Sequence, residues 1–318
     1  MNKIKLLYIT KDESNYIVPA SAYFIDELSK YTDLRVYHQS GNIDDIIGNT
    51  NFHPEFIYIH GYGEYDFPYV TGLKDLRIPF GVGLYDLHYN YQNRKQDLLR
   101  EEVKYVFTCY RDKFLEWFPD FSQNMRWFPH HVSTDIYKDY GLKKDIDLLM
   151  MGSISPQYVY PLRENILIRF KNRPEFVFHG HPGYRNVWEE EKKVFVGKKY
   201  AMEINRAKIF LTCDSIYKYP VNKYFEITAC NTLLLAPLSD ELFDLGFIPG
   251  VNFVSIDENN FEEKAYYYLQ NEEERKVISL NGMRMAHEKH STKKRVQDFI
   301  KLIKEILIEE QNNYKNPK

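Results

Sequence analysis

Short runs of β-branched and aromatic residues, each followed by a segment with helical spacing, recur along the whole chain and fix its class before any motif is weighed. The first run is Ile4 to Ile9, closed by polar residues, with a helix expected over Pro19 to Lys30 that turns Ala22, Ile25 and Leu28 inward. Further runs fall at Leu34 to Tyr37, Phe56 to His60, Phe80 to Tyr85 and Tyr105 to Cys109, separated by Gly, Pro or charged segments. After Phe128-Pro129 and a stretch through Gly141, the pattern restarts with Ile146 to Gly152. It repeats as a helix near Leu162 to Lys171, a strand Phe176 to His179, a helix near Lys199 to Arg206 and a strand Ile209 to Cys213. The alternation reads as α/β with parallel sheets, in two consecutive halves.

The expected division is an amino-terminal domain over 1–140, a second over 141–295, and a terminal segment over 296–318. In that last segment Val296, Phe299, Ile300, Ile303, Ile306 and Leu307 share a helical face, and a polar tail follows. The helix is compatible with packing on its own half or with a return to the first. A length of 318 residues fits two domains.

Composition narrows the function classes. With 44% hydrophobic and 27% charged residues the chain is globular, and its 42 basic and 45 acidic residues are interspersed, which disfavours bulk nucleic-acid binding. Tyrosine is abundant, at 27 residues, and supplies flat faces with hydroxyls that suit sugars and bases, although a compositional bias toward Tyr, Lys and Asn is the simpler account. Cys109, Cys213 and Cys230 are widely spaced in apolar contexts, which argues against a disulfide framework or a zinc cluster. The first apolar run is too short for a signal-peptide core and no stretch approaches a spanning helix, so a cytoplasmic protein is expected.

The segment richest in chemistry runs from Tyr219 through Asn222, Lys223, Tyr224 and Glu226 to Pro237, polar groups leading into a small-residue helix and an apolar strand. A helix N-terminus offers unpaired N–H groups and a positive dipole end to a phosphate. Lys223 adds charge, and Glu226 one turn on can accept two ribose hydroxyl hydrogens. The same spacing also describes an ordinary surface pair. A second candidate is Met151-Gly152-Ser153-Ile154-Ser155, where glycine permits close backbone approach to phosphate oxygens, with Arg163 opening the next helix.

In the first half, His60-Gly-Tyr-Gly-Glu-Tyr-Asp66 matches a dinucleotide-binding loop only weakly, because the third glycine is missing. Tyr85-Asp-Leu-His-Tyr-Asn-Tyr91 places Asp86 and His88 after a strand, where either can serve as general base. His130-His131 and His179-Gly-His181 lack a carboxylate or cysteine at ligand spacing, so no metal site is expected.

Val221 through Pro237, then Leu242-Phe243, Pro249-Gly250, Val254, Glu272 to Arg275 and His287 to Arg295, together resemble the carboxyl-terminal domain of the CgeB-like (spore maturation protein-like) glycosyltransferases. Asp145 to Ser153 with Arg163 resembles that family's entry into its second domain, and Phe128-Pro129 to Val132 the linker before it. The resemblance implies a GT-B fold, two Rossmann-like domains facing across a cleft, and transfer of a sugar from a nucleotide-diphosphate sugar to an acceptor hydroxyl. UDP is the expected nucleotide, with no cofactor and no metal. By position, Glu226 would bind ribose hydroxyls, and Lys223 with the Gly152-Ser153 turn would contact diphosphate. Arg163, Asn222, Tyr224 and Lys218 complete the expected donor set.

Lys218 is also a departure. Many retaining GT-B enzymes place a second acidic residue eight positions before the ribose glutamate, where this chain has Lys218, and Asp214 is the only acidic substitute nearby. Donor sugar and stereochemistry therefore do not carry over. Two other readings stand beside transfer: a nucleotide-sugar epimerase of the same fold, and a non-catalytic nucleotide-sugar-binding protein.

Overall fold

The computed structural model describes residues 3–154, 156–188, 191 and 193–315. The chain forms two compact units, one of Met1–Ser14, Ser21–Pro129 and Arg295–Lys318, the other of Asn15–Ala20 and His130–Lys294.

In the first unit the elements run β1 (Lys5–Ile9), α1 (Ala20–Ser29), β2 (Asp33–Tyr37), β3 (Gly41–Asn42), α2 (Ile43–Thr50), β4 (Phe56–Ile59), β5 (Val70–Thr71), β6 (Phe80–Leu84), α3 (Tyr91–Arg100), β7 (Val106–Thr108), α4 (Arg111–Trp117) and β8 (Met125–Trp127). Six strands form a parallel sheet ordered β2-β1-β4-β6-β7-β8. The apolar runs of β1, β4 and β7 are buried almost throughout, as strands covered on both faces require. The short helix α2 left no apolar run to find, yet it is sharply bounded. The Asn42 side chain accepts from Asp44 N–H at 3.0 Å, and Asn51 closes the helix in the left-handed region at φ 45°.

The second unit runs β9 (Ile146–Gly152), α5 (Pro161–Phe170), β10 (Phe176–Gly180), α6 (Gly197–Arg206), β11 (Ala207–Leu211), α7 (Asn222–Ala229), β12 (Leu233–Ala236), α8 (Asp240–Asp244), β13 (Val254–Ser255), α9 (Phe261–Gln270) and α10 (Glu272–His290). Its sheet is parallel and ordered β10-β9-β11-β12-β13. Leu148, Met150, Ile166, Phe170, Ile209 and Leu233 make the centre of its core.

The unit begins at His130, eleven residues before the expected start at 141, because the connecting stretch is tied into it. Asn205 accepts from Tyr140 N–H at 2.8 Å and donates to Lys138 O at 2.9 Å, while Val132 exchanges backbone bonds with His290 and Thr292. The segment Asn15–Ala20 joins this unit too: Ile17 N–H donates to Arg185 O at 3.0 Å and Val187 N–H to Asn15 O at 2.8 Å. No sequence periodicity marks such irregular pairings.

The last helix, α11 (Thr292–Lys315), decides between the two options left by its pattern. Val296, Phe299, Ile303 and Ile306 are buried in the core of the first unit with Leu6, Tyr8, Phe24, Tyr58 and Phe107. The Phe299 ring packs on Tyr58 (4.9 Å), Phe128 (5.3 Å), Phe24 and Phe107 (both 5.4 Å). At its rim Tyr105 Oη donates to Glu310 at 2.7 Å. The helix persists through Lys315, beyond the start of the expected polar tail, and residues 316–318 lie outside the described ones. Among the described residues no helix is long and apolar enough to cross a membrane.

Candidate functional site

In an open parallel sheet the place for a ligand is the crevice beyond the carboxyl ends of the strands where the winding direction reverses. In the second unit the chain leaves β9 for β10 on one side and returns to β11 on the other, so the reversal lies between β9 and β11. Arg163, from the first turn of α5, spans that gap. Its guanidinium donates to Ser153 O beyond β9 at 3.0 Å and to Cys213 O beyond β11 at 2.8 Å, and it lies over the Tyr160 ring at 4.2 Å. Its Nε is buried with no hydrogen-bond partner, leaving one donor of a buried cation uncommitted.

Gly152 ends β9 at φ +134°, and a Cβ there would sit 2.9 Å from Lys223 Cε and 3.6 Å from an Arg163 nitrogen. Only glycine leaves room for both cations beside the strand end. Lys223 comes from the first turn of α7. Its ammonium donates to Tyr200 Oη at 3.3 Å and faces that ring at 5.3 Å. Burial pulls Lys223 down to about 8, against the favourable charge of Glu226 and with the repulsion of Arg163.

One turn further along α7, Glu226 is held above the ordinary carboxylate range by burial, opposed by Lys223 and by a hydrogen bond from Tyr137. His287 supports that tyrosine from α10, its Nε2 lying 3.2 Å from Tyr137 O and 3.0 Å from Ala229 O. Asn222 opens α7 with a buried Oδ1 that has no partner. Asp214, just past β11, is raised to about 7 by burial, with Lys218 and Arg163 pulling the other way.

Of the expected donor residues, the structure gathers Gly152, Ser153, Arg163 and Lys223 at one strand end and sets Glu226 and Asn222 on the same short helix. Tyr224 is corrected: it is fully buried, its hydroxyl donates to Pro237 O at 2.8 Å, and its ring packs on Phe247, so it is a core residue. Lys218 is exposed in a left-handed turn at φ 57°, and reaches the site through its charge on Asp214. Ser155 lies outside the described residues. Tyr137, Tyr200 and His181 were not legible beforehand, since each arrives from a different element.

In the first unit the reversal lies between β1 and β4, and the side chain there is His60, which extends the apolar run of β4. Its backbone N–H donates to Ile9 O at 2.8 Å. Its Nδ1 lies 3.1 Å from Tyr8 Oη and its Nε2 3.4 Å from Ser21 Oγ, and Ser21 in turn bonds the Glu13 carboxylate. A carboxylate only accepts, so Ser21 donates to Glu13, Nε2–H donates to Ser21, and Nδ1 accepts from Tyr8. Burial, with Lys11 nearby, drives His60 down to about 3, keeping the imidazole neutral. It suits hydrogen bonding rather than proton abstraction.

Asp86 and His88, either of which is expected as general base, stand exposed in the loop after β6. That loop is anchored by Arg94, which donates to Asp86 O at 2.9 Å, and by Glu64, which accepts from Tyr85 N–H at 3.0 Å. The described residues contain no group of three or more His, Cys, Asp or Glu able to hold a metal ion. His179 is instead paired with Glu203 at 2.8 Å.

Residues 161–301, which include Arg163, Lys223 and Glu226, match the family model described as glycosyl transferase-like. Solved structures agree on architecture. HepE of Anabaena, in complex with UDP-glucose, superposes with a TM-score of 0.62 at 10% identity, over 95% of this chain and 100% of its own. A glycosyltransferase from Rickettsia africae ESF-5 gives 0.60 at 11%, over 96% and 99%. AviGT4, a glycosyltransferase involved in avilamycin A biosynthesis, gives 0.58 at 11%, over 96% and 98%. At such identities the likeness establishes the fold, which is that of the GT-B glycosyltransferases. No curated protein matches by sequence.

Proposed function

We propose that this chain transfers a sugar from a nucleotide-diphosphate sugar, with UDP as the nucleotide, to an acceptor hydroxyl on a glycan, a protein or another surface component. The observation that carries the reading is the pair of cations, Lys223 and Arg163, packed against Gly152 at the reversal of the second sheet, with a carboxylate one turn beyond. A diphosphate needs the first; the two hydroxyls of a ribose need the second. As the bond to the anomeric carbon breaks, negative charge grows on the leaving diphosphate. Lys223, Arg163 and the N-terminal amides of α7 are already oriented to receive it. Support for UDP comes from HepE, solved with UDP-glucose, with UDP and glucose, and with UDP. The motif order of the second unit supports kinship with the CgeB-like enzymes. The burial of Cys109, Cys213 and Cys230 suits a reducing cytoplasm.

The ribose assignment predicts a split between kinetic constants. Glu226→Ala raises the donor KM by about 10- to 100-fold, the worth of hydrogen bonds to a charged acceptor, with a smaller effect on kcat. Steady-state kinetics at saturating acceptor measure this directly. A donor KM equal to that of the unaltered enzyme removes Glu226 from the site.

A further inference from the structure

The donor set proposed above leaves one polar side chain at the same strand end without a role. His181 follows β10 directly, and the parallel register sets Gly180 beside Gly152. Its own N–H donates to Gly152 O at 3.2 Å, so its backbone is fastened to the glycine that touches Lys223 and Arg163. Its ring orientation is also fixed, because Gly183 N–H donates to Nδ1 at 3.1 Å and Tyr184 packs on the ring at 4.6 Å. With the Nδ1 lone pair occupied, the neutral ring carries its proton on Nε2. Nε2 makes no hydrogen bond among the described residues.

The charged groups acting on this ring are Lys223 from α7 and Arg163 from α5, both cationic, and with burial they hold the imidazole below its ordinary range. Of the carboxylates at this site, Glu226 acts on Lys223, and Asp214 interacts with Arg163 and Lys218. On the ring's own segment Arg185 is paired with Glu191, and on β10 His179 is paired with Glu203. Among the described residues no anionic group acts on His181, and a bound ligand supplies the balancing charge. A diphosphate placed between Lys223 and Arg163 reverses the local sign.

We propose that His181 is a third hydrogen-bond donor to the donor diphosphate, through Nε2, and that its ring takes up a proton from solvent when the diphosphate binds. This rests on the donor reading above and adds to it a proton linkage that neither lysine nor arginine provides below neutral pH.

The test is isothermal titration of the full-length protein with UDP at pH 8 and pH 6, each in two buffers of different ionisation enthalpy, for the unaltered chain, His181→Gln and His181→Ala. Glutamine keeps a donor near the Nε2 position but cannot titrate, so its pH dependence contains the ionisation of UDP and of the other site groups, Lys223 and Asp214 among them, without that of His181. At pH 8 the Gln variant binds within about twofold of the unaltered chain, and at pH 6 the latter binds about five- to tenfold tighter, with the larger proton uptake. The Ala variant is weaker at both values. UDP binding with the same pH dependence and proton uptake in the unaltered chain and the Gln variant overturns the role of His181 alone. Failure of the unaltered chain to bind UDP at either pH overturns the donor reading and this inference with it.

Discussion

Lys223→Ala lowers kcat by about 10²- to 10³-fold, the usual cost of removing one oriented donor from a site of developing negative charge. The ammonium is held by Tyr200 and packed against Gly152, which fixes where its charge meets the leaving group. Arginine is no remedy, because its larger head group meets the strand end where even a Cβ on Gly152 would lie 2.9 Å away. The ionisation of Lys223 sets a second signature. Burial brings it to about 8 in the free enzyme, so kcat/KM falls as pH rises through that value and the lysine loses its proton. The alanine variant lacks that limb, and a full pH profile of both proteins reads out the charge and its position together. Unchanged kcat would place the leaving group elsewhere.

Phe299→Ala destabilises the first unit by about 3–5 kcal/mol, at the upper end for a core substitution. Phe299 is fully buried and shares ring contacts with Phe24, Tyr58, Phe107 and Phe128, from α1, β4, β7 and the segment after β8. The cavity is bounded by strands that cannot collapse into it without breaking their register. Because α11 is the last helix of the chain yet seals the first sheet, the loss appears in the amino-terminal unit. Chemical denaturation with fluorescence, or hydrogen exchange along β1 and β4, measures it. A change below about 1 kcal/mol would mean that the helix contributes little to that core.

The strands at Phe56, Phe80 and Ile146 were legible because parallel strands covered on both faces are written as continuous apolar runs, whereas the mixed run at Leu34 forms the partly exposed edge strand β2. What escaped was local geometry that leaves no periodic trace. Helix α3 carries a mostly polar sequence, and the first link between the halves joined the second unit through Asn205 rather than through an apolar pattern. In the site, Lys223 and Glu226 were visible because three residues is one helical turn. The same geometry explains the error over Tyr224, which is one position on and therefore turned about 100° away, into the core. Tyr137, Tyr200 and His181 come from a loop, α6 and the end of β10, and only the folded sheet brings them near α7. His60 was concealed by standing at the end of an apolar run, whereas Asp86 and His88 stood out in a polar loop that the structure leaves exposed.

Whether the second unit binds a nucleotide-diphosphate sugar for transfer is read out by a thermal-shift and nucleotide-release screen of the purified protein against UDP-, GDP-, dTDP- and CDP-sugars, with and without EDTA. The expected result is stabilisation by UDP-sugars of roughly 5 °C at a hundredfold excess over Kd, unaltered by EDTA, with slow release of UDP in the absence of acceptor. No stabilisation by any of the four, with no nucleoside diphosphate released, would contradict the donor reading.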